Sequence, residues 1–274
     1  MSRHQVLIYP LLLFPLLFAV QTAPAQDESS VEEIVAKTNH MAYYKGQDGR
    51  AQVSMTITDE QGRERHRQFT ILRLDEQTED DSMDQSGEQY YYVYFHRPAD
   101  VNKTVFLVWK HIGNDDDRWL YLPALDLVKR IAASDERTSF VGSHFFYEDV
   151  SGRGTEEDTH KLAETTDTYY ILENTPKKPD MVEFSSYKMW IHKDTFLPIK
   201  IEYFDRNGQS YRTYQALEVK EIEGYQTVTR ASMADSKMGG KTVMTYDRVN
   251  YDIGLPRDIF SERYLRQPPR KFLR

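Results

Sequence analysis

The sequence predicts a mainly β protein: one antiparallel domain of about a dozen strands with few helices. Apolar and polar residues alternate with a period of two through most of the chain, as in Val53, Met55 and Ile57 against Gln52, Ser54 and Thr56. Turn signals recur at short intervals, the strongest being Asn207-Gly208 and Gly239-Gly240. No sequence repeat and no linker divides the chain.

The first 25 residues stand apart from this pattern. Arg3 and His4 precede an almost unbroken apolar run over 6–20, and Ala23-Pro24-Ala25 follows. That order is expected of a secretory signal peptide cut after Ala25. The run is shorter than the about 20 apolar residues a spanning helix needs. Residues 26–274 then form a single exported domain, most simply periplasmic. The chain has no cysteine, which rules out disulfides, thiolate metal sites and a lipid-modified cysteine, so the protein is not itself a lipoprotein.

A helix opens the domain. Ser30 and Glu33 have capping-box spacing, and Val31, Ile34, Val35, Thr38, Met41 and Ala42 repeat at helical intervals up to Gly46. A hairpin through Val53 and Phe69 turns at Gln61-Gly62. Residues 78–88 are acidic and polar, and are expected to be a flexible loop. Strands follow at 90–95, 104–110, 118–122 and 128–132, then at 160–163, 168–173, 182–192, 199–205, 211–220, 225–234 and 242–251. Leu255-Pro256 opens a short last helix that must stop before Pro268-Pro269.

Several strands are apolar on both faces. Val105, Leu107 and Trp109 oppose Phe106 and Val108; Trp119 and Tyr121 oppose Leu120 and Leu122; Tyr169 and Ile171 oppose Tyr170 and Leu172. Both faces of such strands must be covered. A curved sheet with helices on its concave side satisfies this, and its interior is either filled or holds a ligand. The 19 tyrosines and 13 phenylalanines favour a cavity for amphipathic molecules, since a tyrosine offers a flat apolar face and a polar tip.

Catalytic patterns are missing. Gly142-Ser143-His144 lacks the order of a nucleophile elbow, and Gly240-Lys241-Thr242 lacks the first glycine of a phosphate loop, a position held by Asp235. The histidines are scattered singly, so no metal chelate is expected. His144 and Glu148 have helical spacing beside Asp149; a hydrogen-bonded turn is the simpler reading than a metal or acid–base pair. The formal net charge of −8 argues against nucleic acid. Positive charge clusters only in the tail over 263–274, at Arg263, Arg266, Arg270, Lys271 and Arg274. Such a tail is either unstructured or makes transient contact with anionic headgroups.

Residues 117–150 carry a family resemblance. D-x-W-L-Y-L-P-A-L at 117–125 is followed by Lys129-Arg130-Ile131, Ser134-Asp135, Ser139-Phe140-Val141-Gly142-Ser143 and Phe146-Tyr147-Glu148-Asp149. Upstream Lys103-Thr104-Val105-Phe106-Leu107-Val108-Trp109 and downstream Leu197-Pro198-Ile199-Lys200 extend it. This pattern resembles the outer-membrane lipoprotein-sorting proteins, similar in fold to the periplasmic carriers LolA and LolB. The resemblance implies an unclosed antiparallel β-barrel of about 11–13 strands, with an N-terminal helix and short helices covering the concave face. It implies a cavity for the acyl chains of a lipid or acylated lipoprotein moved toward the outer membrane, no catalytic residues and no cofactor. It also implies, as the alternative, a non-carrying accessory subunit docked on an RND-type inner-membrane permease. His144 departs from the pattern, which has an acid before the phenylalanine.

Candidate cavity residues are Val105, Leu107, Trp109, Trp119, Tyr121, Phe140, Phe145, Phe146, Tyr169 and Ile171. Strand alternation keeps some of these on the outer face. Lys129 and Arg130 are expected to anchor a rim or to pair with Glu148 and Asp149.

Overall fold

The computed structural model describes residues 29–76 and 88–274. The expected signal peptide over 1–25, and all of the expected flexible loop except Glu88, lie outside the described residues. Helix α1 (Val31–Tyr43) starts where Ser30 Oγ accepts the Glu33 N–H at 3.1 Å. It ends three residues before Gly46, with Ile34 and Thr38 on its buried face.

Thirteen strands follow. They are β1 (Asp48–Thr58), β2 (Glu64–Asp75), β3 (Gln89–Arg97), β4 (Val105–Lys110), β5 (Asp117–Leu122), β6 (Leu127–Ile131), β7 (Asp158–Thr165), β8 (Tyr169–Pro176), β9 (Ser186–His192), β10 (Pro198–Phe204), β11 (Ser210–Ile222), β12 (Tyr225–Asp235) and β13 (Lys241–Tyr251). They make one antiparallel sheet in the order β6-β5-β4-β3-β2-β1-β13-β12-β11-β10-β9-β8-β7, which is not closed into a barrel. The two halves of the chain are joined by the β1–β13 ladder, with Val53 opposite Tyr246 and Met55 opposite Met244.

This topology has a direct consequence. Strands β6 and β7 are sequence neighbours but occupy the two free edges. The segment between them must therefore pass from one edge of the sheet to the other. It contains a tight hairpin around Val141-Gly142, closed by the Phe140 N–H to Phe145 carbonyl bond at 2.8 Å, and the short helix α2 (Tyr147–Ser151). Val141 and Gly142 both have positive φ, at 49° and 78°. At Val141, a β-branched residue, that backbone carries strain.

The crossover covers the inner face. Phe140 is wholly buried, and its ring meets those of Phe69, Phe95, Phe106 and Tyr147 at centroid distances of 5.6–6.0 Å. Helix α1 covers the inner face at the other end, where Ile34 packs with Leu172 and Ile191.

The outer face of β2–β5 is covered by the C-terminal segment. Leu72, Tyr90, Tyr92, Val105, Leu107 and Trp119 pack with Leu255, Ile259, Phe260, Leu265 and Leu273. The expected last helix is two pieces: a 3₁₀ turn at Arg257–Phe260 and helix α3 (Arg263–Arg266). The residues over 263–274 are fixed rather than unstructured. Leu265 and Leu273 are buried, Thr70 Oγ1 donates to the Leu273 carbonyl at 3.3 Å, and Arg266 Nε reaches Asp126 at 2.9 Å. The cations of that segment stay exposed while its apolar side chains cover the sheet.

Candidate functional site: a cavity under the crossover

A cavity of about 270 Å³ lies between the inner face of the sheet, α1 and the crossover. A single water needs only about 10–15 Å³ on this measure. The apolar walls come from Met41 and Ala42 of α1, Ala51, Phe69 and Ile71 of β1 and β2, Phe140, Phe145 and Val150 of the crossover, and Tyr203, Tyr214, Met233, Met244 and Tyr246 of the second half of the sheet. A second space of about 100 Å³ adjoins it and shares Ala42, Tyr43, Asp149, Pro198, Ile201 and Tyr203 as walls. It runs beneath α1 past Val35, Leu172 and Ile191.

Of the ten residues expected at the cavity, the structure brings Phe140 and Phe145 to its wall. Val105, Leu107, Trp109, Trp119 and Tyr121 are on the outer face, in the cluster under the C-terminal segment. Trp109 Nε1 donates there to the Phe260 carbonyl at 2.5 Å. Alternation divides β4 and β5 into two apolar faces but does not say which is inner; Phe106 and Val108 are the inward pair. The same holds on β8, where Tyr170 and Leu172 pack toward α1, so Tyr169 and Ile171 face away. Phe146 points below the cavity, where the Arg212 guanidinium lies 4.0 Å and that of Arg137 5.3 Å from its ring centroid.

Beneath the crossover is a buried network of opposite charges. Arg212, wholly buried, forms an ion pair with Asp149 and donates to the His144 carbonyl at 3.1 Å. Arg137 pairs with Glu148 and with Glu183, and Arg153 pairs with Glu148, Glu157 and Asp158. Arg118 joins Asp116 and Glu136 at 2.7 and 2.6 Å. Burial pushes the Glu136 carboxyl up to about 7, against the pull of Arg118. Arg137 and Arg153 hold Glu148 below its usual range despite its burial.

Carboxylate oxygens of Glu136, Glu148 and Glu157 come within 4.8 Å of one another. Arg118, Arg137 and Arg153 already supply the countercharge, so this trio is one part of the ion-pair network. Lys129 and Arg130 do not reach Glu148 or Asp149. Arg130 pairs with Asp117 and lies over the Trp119 ring on the far side of the sheet.

His144 and Glu148 do not form a pair. His144 is buried, with Nδ1 2.8 Å from Thr242 Oγ1 and Nε2 3.0 Å from the Gly239 carbonyl. Both ring nitrogens are occupied in fastening the crossover to the β12–β13 turn. That is the hydrogen-bonded structural role.

Sequence reasoning missed Lys45, Arg73, Tyr203, Tyr214 and Tyr246 at the cavity. Tyr203, Tyr214 and Tyr246 sit on one-sided strands whose inward parity is legible in the pattern. Burial raises all three hydroxyls above their usual range, Tyr203 and Tyr246 to about 12.

A family model described as an uncharacterized protein matches residues 87–267, two thirds of the chain. A DUF1329 family protein from Desulfovibrio piger ATCC 29098 superposes with a TM-score of 0.76 at 29% identity, over 85% of this chain and 97% of that one. The chain belongs to the DUF1329 family. A domain from Vibrio parahaemolyticus, assigned to the outer-membrane lipoprotein-sorting proteins, gives 0.74 at 26% identity, over 86% of this chain and 98% of that one. A LolA superfamily protein from Nitrosomonas europaea gives 0.65 at 19% identity, over 86% of this chain and all of the other. The DUF1329 chain thus has the LolA-like fold: a long antiparallel sheet left open, with helical segments over its inner face. No curated protein sequence matches it. Among the described residues no helix is long and apolar enough to cross a membrane.

Proposed function

We propose that the protein is a periplasmic carrier that holds the acyl chain of a lipid or lipoprotein in the cavity under the crossover, for transfer toward the outer membrane. The observation that carries this reading is the cavity itself: about 270 Å³ walled by apolar and aromatic side chains, with an adjoining space beneath α1. Burying an acyl chain is worth about 0.8 kcal/mol per methylene, so a chain can be held without a specific hydrogen bond for each segment. The outer-membrane lipoprotein-sorting assignment of the Vibrio parahaemolyticus domain supports the same reading.

A cavity-filling variant tests this. Ala51 lies on the inner face of β1 opposite Ile71 and lines the cavity. Ala51→Phe is expected to lower the affinity for a fluorescent fatty-acyl probe by about tenfold or more, with the fold retained by circular dichroism, because the ring occupies the volume of several methylenes. Unchanged probe affinity in a folded variant would place the acyl site elsewhere.

A further inference from the structure

The inner cavity is amphipathic, and its polar end is cationic. Lys45 lies in the link between α1 and β1, is 6% exposed and lines the cavity. Its ammonium has three donors. One of them goes to the Gln226 carbonyl at 2.7 Å. No described carboxylate forms an ion pair with it, and burial together with the nearby Arg73 lowers its pKa to about 8.

The neighbouring charges are already matched. Arg73 donates to the Tyr43, Lys45 and Gly46 carbonyls and has Asp75 at 3.6 Å. Asp48 accepts the Ile253 and Leu255 N–H groups at 2.8 and 2.9 Å. Asp149, the carboxylate on the cavity wall, is taken by Arg212. Lys45 is therefore a buried cation on the wall without a carboxylate partner among the described residues. Beside it on the wall are the Thr227 and Tyr251 hydroxyls, 2.8 Å apart. A buried, unpaired ammonium is costly, and the backbone that positions Lys45 is clamped at three carbonyls by Arg73. Such a group is complementary to a desolvated oxyanion.

We propose that the Lys45 ammonium binds the acidic headgroup of the cavity's occupant, so that the ligand is an acyl-chain amphiphile with a carboxylate or phosphate head. This rests on the acyl-carrier reading and narrows it to anionic ligands. The chain lies along Ala51, Ile71, Phe140, Met233 and Met244, and the head sits at Lys45, beside the Thr227–Tyr251 hydroxyl pair.

Three ligands of one chain length separate the possibilities on the full-length, delipidated protein: oleate, oleoyl lysophosphatidate and uncharged monoolein. The wild type is expected to bind one or both anions about tenfold more tightly than monoolein, the worth of a charge-assisted hydrogen bond. The stronger anion identifies the head. Lys45→Met is expected to abolish the preference by weakening the anions alone, and Lys45→Arg to keep it. Equal affinity of the wild type for all three would overturn the headgroup assignment and leave the carrier reading standing. So would an intact preference in Lys45→Met. Failure to bind any of the three would overturn the carrier reading and this inference together. The wild-type comparison needs no variant, so a poorly folding Lys45→Met leaves the test decisive.

Discussion

Arg212→Ala is expected to destabilise the protein by about 3–5 kcal/mol, the cost of breaking a buried ion pair by removing one partner. Arg212 is wholly buried on β11, paired to Asp149, bonded to the His144 carbonyl and set against the face of Phe146. Its loss leaves the Asp149 carboxylate at the cavity wall without a countercharge. Thermal unfolding reads the effect, as a drop on the order of 10 °C for a domain of this size. Arg212→Lys recovers only part of it, because an ammonium keeps the charge but not the planar fork that spans Asp149 and the carbonyl. Asp149→Asn combined with Arg212→Ala should cost less than the two single changes added together, since neither partner is then stranded. Additive losses would show that the two groups act independently.

Phe140→Ala is expected to cost about 3–5 kcal/mol as well, for a different reason. The ring is wholly buried and touches four other aromatic rings contributed by β2, β3, β4 and α2. Truncation opens a void that these four elements would have to move to fill. Phe140 also lines the cavity, so the void adds to the space available to a ligand. The expected result is a lower midpoint in chemical denaturation, together with an acyl-probe affinity that is retained or improved. Phe140→Leu should be the milder change. A denaturation midpoint unmoved by Phe140→Ala would mean that the crossover does not plug the inner face.

These two residues show how far the sequence carries. Phe140 is legible: it lies in an aromatic-rich segment between two groups of strands, inside the motif Ser139-Phe140-Val141-Gly142-Ser143, and the structure places it on the cavity wall. Arg212 is not. A single arginine in Tyr211-Arg212-Thr213-Tyr214 reads as an outward charge, and only the packing of the crossover against β11 supplies the carboxylate that lets it point inward. The strands themselves were readable because a period of two is set by backbone geometry. The thirteen-stranded sheet and the covering of both faces follow from that pattern, and the N-terminal helix from its own helical spacing after Ser30.

What alternation leaves open is the choice of inner face. Val105, Leu107, Trp109, Trp119 and Tyr121 are as apolar as Phe106 and Val108 because the C-terminal segment packs over them. That segment read as a basic tail, since its five cations hide the apolar spacing of Leu265, Phe272 and Leu273. The placement of the crossover, and with it the site, depends on which strands form the sheet edges. That is a property of the whole pairing order rather than of any local stretch. Lys45 escapes notice for a related reason: nothing in Tyr44-Lys45-Gly46 marks its side chain as buried.

Native mass spectrometry of protein purified gently from the periplasm tests the central claim most directly. The account predicts a bound species of acyl-lipid mass that organic extraction removes, leaving the mass of the chain alone. It further predicts that Ala51→Phe purifies without that species. A wild-type protein carrying no such adduct, and taking none up when offered acyl lipid after extraction, would contradict it.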